Sequence, residues 1–253
     1  MSNIGIALQL YGLRDHAARN LGETLTAVKS AGFDYVQWAG MPDLAADSVR
    51  DALDSAGLKA VAAHCPAEWF EENLDGAVAY WERVGAPDVA ASGMFFEDRS
   101  DLAHWREGCA RLAAVGASLR ERGLRFGYHH HGYELTRAAG DERSLLTILL
   151  ETVPEEHLAI ELDTGWLASA GEDPASWFRH CAGRCPVVQL SDLQPGGSRP
   201  VFAAPGAGTL DWADIFDAGE EAAVEWYVCS FPVPDTDPEE ALKRAYAYLA
   251  EHA

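Results

Sequence analysis

Two short phrases hold most of the residues able to do chemistry. Tyr128-His129-His130-His131-Gly132-Tyr133-Glu134 and Glu161-Leu162-Asp163-Thr164-Gly165-Trp166 each close an apolar, β-like run. Carboxylates beside imidazoles are the parts of general acid–base catalysis and of divalent-metal sites. His64 ends a third run, and Gln9, Gln37, Ser92, Gln189 and Ser230 stand at the ends of five more. Amides, hydroxyls and imidazoles are natural partners for a polyhydroxylated ligand, with Trp38 or Trp166 to supply a stacking face. The triple histidine is less specific than it looks, because one of the three is expected to face a helix layer and to act as a core residue.

The elements around these residues alternate. Strands are predicted over 4–10, 33–38, 58–64, 88–92, 124–130, 158–163, 187–191 and 224–229. Helical stretches fall between them, for example 17–31, 48–56, 68–83, 101–122 and 239–250. Gly32, Gly57, Gly85 and Gly123 are placed as helix C-caps, Asp173-Pro174 as an N-cap with proline at the first turn, and Asp211 before a further helix. Strands joined by helical crossovers must pair in parallel, and eight such units close most naturally into a (β/α)8 TIM barrel. An open doubly wound sheet is the competitor, but Leu10-Tyr11-Gly12-Leu13-Arg14-Asp15 is no dinucleotide loop. With no linker in the sequence, residues 1–253 are read as one domain. Strand alternation then sends Leu124, Phe126 and Tyr128 toward the helices and Arg125, Gly127, His129 and His131 inward or upward. The same parity puts Glu161, Asp163 and the five polar strand ends on the lumen side, converging on the C-terminal rim.

Composition narrows the partners. Against 19 basic residues stand 40 acidic ones, for a formal net charge of −21. Nucleic acid and anionic membrane surfaces would be repelled on average. The start of the chain has no basic leader, and no apolar stretch approaches the ~20 residues needed to cross a bilayer. Five scattered cysteines read as reduced and buried, and the expected compartment is the cytoplasm.

At these residues the chain resembles the sugar phosphate isomerase/epimerase family, xylose-isomerase-like barrels related to AP-endonuclease-type enzymes. The resemblance covers almost the whole chain. Besides the two opening phrases it rests on Gln9-Leu10-Tyr11-Gly12-Leu13-Arg14-Asp15, Ala63-His64-Cys65-Pro66, Gly208-Thr209-Leu210-Asp211-Trp212 and Val224-Glu225-Trp226-Tyr227. It implies one divalent ion (Mn, Co, Zn or Mg) held by two glutamates, an aspartate and a histidine. Carried over, the aspartate is Asp163, and Glu134, His129 or His131 takes the place of the first acidic ligand. The histidine falls on Gln189 and the last glutamate on Ser230. The second-strand glutamate appears as Gln37, and that of the Gly-Glu-Gly turn as Ala207. Each change removes a charged or strong ligand, so metal binding is expected to be weakened or lost, with Asp163, Glu134 and His131 as what could remain of a cage.

The expected catalytic residues are Glu134, Asp163, His64 and His131. Glu161 is a further candidate base, and His64, His129, His131 or Arg14 a partner for a developing oxyanion. The expected substrate contacts are Gln9, Trp38, Gln37, His129, Trp166, Gln189 and Ser230. Two functions compete. One is an isomerase, epimerase or lyase moving a proton on a sugar, keto-sugar or cyclitol. The other is a non-catalytic relative that binds a sugar-like ligand or a protein. A DNA-repair nuclease would want more metal ligands and a basic face. Family members often pair, so a homodimer stays open, with Trp69, Trp81 and Trp105 as one source of an interface.

Overall fold

The computed structural model describes residues 4–95, 101–137, 140–195, 199–234 and 236–253. Eight parallel strands close into a barrel: β1 (Gly5–Gln9), β2 (Tyr35–Trp38), β3 (Lys59–Cys65), β4 (Asp88–Ala91), β5 (Arg125–His129), β6 (Ala159–Asp163), β7 (Val187–Leu190) and β8 (Trp226–Cys229). Each strand pairs with its neighbours in sequence, and β1 closes on β8. The (β/α)8 expectation is met.

Several strands start later than their apolar runs, because the first apolar residues finish the preceding helix. After the helix Ala46–Ala56, Gly57 adopts φ +72°, and the Leu58 amide returns 2.9 Å to the Leu53 carbonyl. Gly123 does the same at φ +81°, with the Leu124 amide on the Leu119 carbonyl at 3.1 Å. These are helix-terminating bonds that need a left-handed residue, which glycine supplies without a Cβ clash. The caps at Asp173 and Asp211 also form, each carboxylate accepting an amide three residues on.

Two predicted helices are broken. The 17–31 stretch is split into Arg14–Arg19 and Leu21–Ser30, and 68–83 into Ala67–Glu72 and Leu74–Val84. Asn20 and Asn73 sit at the breaks with extended φ, and each side chain caps the following helix, on the Glu23 and Gly76 amides. An asparagine that can bond the backbone locally competes with helix continuation. Strand β3 also departs from simple alternation. Its register slips at Val61, so Ala60 packs outward while Val61 and Ala62 both join the inner cluster with Ala7, Val187 and Val228.

The core lies between barrel and helices, with Trp105 and Trp81 buried in it. Trp105 donates to the Leu145 carbonyl at 2.9 Å, so these two tryptophans are packing residues and not an exposed face. The five cysteines are free and buried. At the N-terminal end Arg125 bonds Asp88 and, at 2.7 and 2.8 Å, Glu225, which ties β4, β5 and the start of β8 together. Among the described residues no helix is long and apolar enough to cross a membrane.

Beyond β7, Asp192 organises the return loop. Its carboxylate accepts the amides of Leu193, Gly208 and Leu210 and the Trp212 indole N–H, at 2.8 to 3.2 Å. The Gly208–Trp212 phrase is therefore a backbone device at Asp192. Asp192→Ala would leave four donors without their acceptor, the buried Trp212 indole N–H among them, so we expect a loss of about 3 kcal/mol. Urea unfolding should show a lower midpoint for Asp192→Ala, with Asp192→Asn falling between it and the parent.

Candidate active site

The C-terminal ends of the strands surround a cavity of about 590 Å³. His64, His129, His131, Asp163, Gln189, Gln9 and Ser230 line it, as the strand parity predicts, together with Trp166 from the helix that follows β6. Its mouth is formed by Tyr11, Arg14, Phe202, Phe231 and Pro232, of which the sequence singled out only Arg14, as a partner for a developing oxyanion.

Two expected contacts lie elsewhere. Trp38 is buried in the outer core, because the alternation that turns Gln37 inward turns its neighbour toward the helices. Gln37 is inward but fully buried below the cavity lining. The larger correction is Glu134. It follows Gly132 in a single 3-10 turn (Tyr133–Leu135) and folds back on β5. Its carboxylate accepts the Tyr128 hydroxyl at 2.7 Å and the His131 amide at 2.8 Å. Tyr128 belongs to the helix-facing set, so Glu134 braces the outside of the barrel end, and burial pushes its carboxyl up.

His130 is the member of the triplet that leaves the cavity. It is fully buried, its Nδ1 lies 2.9 Å from the His131 carbonyl, and its Nε2 accepts the Asp163 amide at 3.1 Å. The Nε2 acceptor role fixes the tautomer with the proton on Nδ1. His130 thus clips the end of β5 to the end of β6.

The hub of the site is Glu161, one layer below Asp163. It stands beside His129 in the β5–β6 register, and Gln9 stands beside Gln37 in the β1–β2 register. Glu161 Oε1 lies 2.7 Å from His64 Nε2, accepts Gln189 Nε2 at 2.6 Å and has His129 Nδ1 at 3.4 Å. Its Oε2 accepts Gln37 Nε2 at 2.9 Å. The Gln37 carbonyl in turn accepts Gln9 Nε2 (3.2 Å) and Gln189 Nε2 (2.9 Å), and the Ser230 hydroxyl donates to the Gln9 carbonyl (3.1 Å). Turning the Gln189 amide over would set its oxygen against the Glu161 carboxylate, so the donor direction is dictated. Every link runs toward Glu161.

Electrostatics follow from that arrangement. Burial alone would raise the Glu161 carboxyl, but the charge of His64, the hydrogen bond from His64 and the close approach of the His129 imidazole outweigh it and hold the carboxyl well below its ordinary range. Burial alone would lower His129, yet the close Glu161 carboxylate and the charge of Asp163 raise it instead. Asp163 is raised by burial, which the charge of His129 and the bonds from Trp166 and Ser191 only partly offset. A buried carboxylate is thus ionised beneath an imidazole biased toward its cation, and a second carboxyl nearby is made more basic than usual.

The expected metal trio of Asp163, Glu134 and His131 does not converge. Glu134 is turned away, and Asp163 Oδ1 is taken by the Ser191 hydroxyl (2.8 Å) and the Trp166 amide (2.9 Å), as cap of the helix Thr164–Ser169. At the other ligand positions implied by the resemblance, Gln189 and Ser230 spend their donors on the network above. Among the described residues, His64, His129 and Glu161 are the group whose ligand-type atoms all lie within 4.8 Å of one another. Two imidazoles and a carboxylate suit a borderline dication by type. However, His64 Nε2 and Glu161 Oε1 are closer than the roughly 3.3 Å that separates two ligands on one tetrahedral ion, and a proton joins them. The residues at the implied four-ligand positions do not fit such an ion.

The chain belongs to the xylose isomerase-like TIM barrel family, whose model matches residues 25–252. It is 25% identical over 174 residues to the inosose dehydratase of Lacticaseibacillus casei, a match covering 62% of this chain and 56% of that enzyme. The chain therefore spans about half the length of the curated relatives it matches. A sugar phosphate isomerase/epimerase from Parabacteroides distasonis ATCC 8503 shares the fold at TM-score 0.82 and 18% identity, over 98% of both chains. An L-ribulose 3-epimerase does so at TM-score 0.73 and 18% identity, over 100% of this chain and 94% of that one.

Proposed function

We propose that the protein moves a proton on a carbon next to the carbonyl of a polyhydroxylated ketone, as a lyase or epimerase, without the four-ligand ion that the resemblance implies. The observation that carries this reading is Glu161 buried beneath the cavity, with His64 and His129 beside it and the amides of Gln37 and Gln189 directed at it. In this reading, amide N–H donors and an imidazolium balance the buried negative charge that a dication would otherwise balance.

Asp163, raised by burial, takes the α-proton. The electrons move onto the carbonyl oxygen, and the His129 imidazolium, held by Glu161, protonates it or stabilises its charge. Return of a proton to the opposite face gives epimerisation, and departure of a β-hydroxyl with a proton gives dehydration. The pairing of a depressed and a raised carboxyl is the pattern that separates acid and base roles. Gln9, Gln189, Ser230 and Trp166 supply hydroxyl partners and a stacking face. The names inosose dehydratase and L-ribulose 3-epimerase among the similar proteins fit this class of substrate.

The test is hydrogen exchange in heavy water. After chelator treatment, the protein is incubated with an inosose, ketohexoses and acidic keto-sugars, and deuterium at the α-carbon is followed by NMR. Exchange that survives the chelator is expected, and exchange that needs added Mn²⁺, Co²⁺ or Zn²⁺ would overturn the metal-free part. A second reading, a ligand-binding relative, is favoured by one fact: Gln189 and Ser230 are already engaged with other side chains. It predicts saturable sugar binding with no exchange anywhere in the panel.

A further inference from the structure

In a chain with 40 acidic and 19 basic residues, an arginine usually finds a carboxylate. Arg111 pairs with Glu71, Arg143 with Asp141 and Arg179 with Asp214. Arg14 is different. It is exposed at the cavity mouth and has no carboxylate partner among the described residues. One of its five N–H donors, on Nη1, reaches the Tyr11 carbonyl at 3.0 Å, and the guanidinium lies 4.4 Å from the centre of the Tyr11 ring. The ring itself is seated against Gly40, where a Cβ would come within 2.5 Å of it. The guanidinium is thereby held on a fixed platform, with donors to spare, at the opening of the cavity. Among the described residues, no lysine and no other arginine lines that cavity.

We infer that the substrate carries a carboxylate, which Arg14 receives at the mouth while the polyol end reaches the histidines below. This rests on the polyol-binding reading given above and deepens it. A planar guanidinium matches a carboxylate in a two-bond fork. One guanidinium balances one charge, whereas a phosphate dianion would want further donors and would meet Asp163 in the same cavity with Glu161 beneath it. A cavity of about 590 Å³ accommodates a six-carbon sugar acid.

The experiment is equilibrium binding by calorimetry with D-glucuronate, D-glucose and D-glucose 6-phosphate, on the wild type, Arg14→Gln and Arg14→Lys. The wild type should bind glucuronate about tenfold more tightly than glucose, with the ratio falling as salt is raised. In Arg14→Gln the ratio should fall to about one while glucose binding is kept, and Arg14→Lys should recover only part of it. An arginine that merely steadies its own turn through Tyr11 would leave the ratio unmoved. Equal binding of acid and neutral sugar by the wild type, or an unchanged ratio in Arg14→Gln, would overturn the inference while leaving the polyol site standing. Tighter binding of the phosphate than of the uronate would overturn the carboxylate assignment. Binding of none of the three would sink the polyol site and the inference together.

Discussion

Glu161→Gln is expected to lower kcat by about three orders of magnitude, with a much smaller change in KM. The substitution keeps shape and volume but turns an acceptor of three donors into a group with an N–H of its own. One of Gln37, Gln189 and His64 must then face a donor, and the His129 cation loses the charge that stabilises it. For His129 the consequence has a direction. Burial lowers its proton affinity and Glu161 is the main opposing influence, so removing the charge lets desolvation win. If the His129 cation is the proton donor, the alkaline limb of the rate profile should move to lower pH in Glu161→Gln. Glu161→Asp, which keeps the charge at a longer reach, should restore part of the rate and most of the limb. A residue that only filled space would cost stability and leave the limb in place. An unchanged profile with an unchanged rate would remove Glu161 from the mechanism, and the ligand-binding reading would then be the better one.

That Glu161 is the hub was half legible in the sequence. Alternation along β6 put both Glu161 and Asp163 on the lumen side, and it put Gln9, Gln37, His64, His129, Gln189 and Ser230 there too. What alternation does not carry is height along the barrel axis. In register Asp163 lies beside Gln189 and His129 beside Glu161, so the two carboxylates serve different layers. The resemblance drew attention to Asp163, the family ligand, but the chemistry of the substitutions pointed lower. Two amides at lumen positions make a poor cage and a good cradle for one carboxylate, which could have been argued from residue types alone.

Other misses have local causes. Glu134 follows a glycine and lies beyond the strand, where period-two reasoning no longer applies, and only the fold shows it turning back to Tyr128. Trp38 was misplaced against its own rule, since a neighbour of an inward Gln37 must point out. The breaks at Asn20 and Asn73 were announced by residues that cap helices, inside stretches whose apolar spacing read as continuous. Ser191 had a visible signal: it lies two residues beyond Gln189 and so shares its lumen-facing parity, and its hydroxyl bonds the Asp163 carboxylate at 2.8 Å.

The second large expected effect concerns His130 and acid. Burial drives its pKa down from 6.5 to about 3. A histidine depressed in the folded state takes a proton more readily when unfolded, so stability is complete above pH 6.5 and is lost as pH falls toward 3. Over the 2.5 pH units from 6.5 to 4 the loss from this group alone approaches about 3 kcal/mol. Its neighbours act in both directions. His129, raised, adds stability that is full below its unfolded value and fades as pH rises through the folded one. Glu161, depressed, adds stability that is lost only at acid pH, below its unfolded value near 4.5. Asp163 and Glu134, both raised by burial, favour the fold as they protonate. The wild-type curve is therefore a composite, and the informative quantity is the difference from His130→Gln, measured by urea unfolding at pH 7, 5.5 and 4. At pH 7 the variant should be less stable by about 1–3 kcal/mol, because the Asp163 amide and the His131 carbonyl lose the partner that joins them. At pH 4 the gap should close or reverse, since only the wild type must keep a buried imidazole neutral against protonation. Parallel curves at all three pH values would mean that His130 takes up its proton without unfolding the barrel end. In that case the clip between β5 and β6 would not depend on the neutral tautomer.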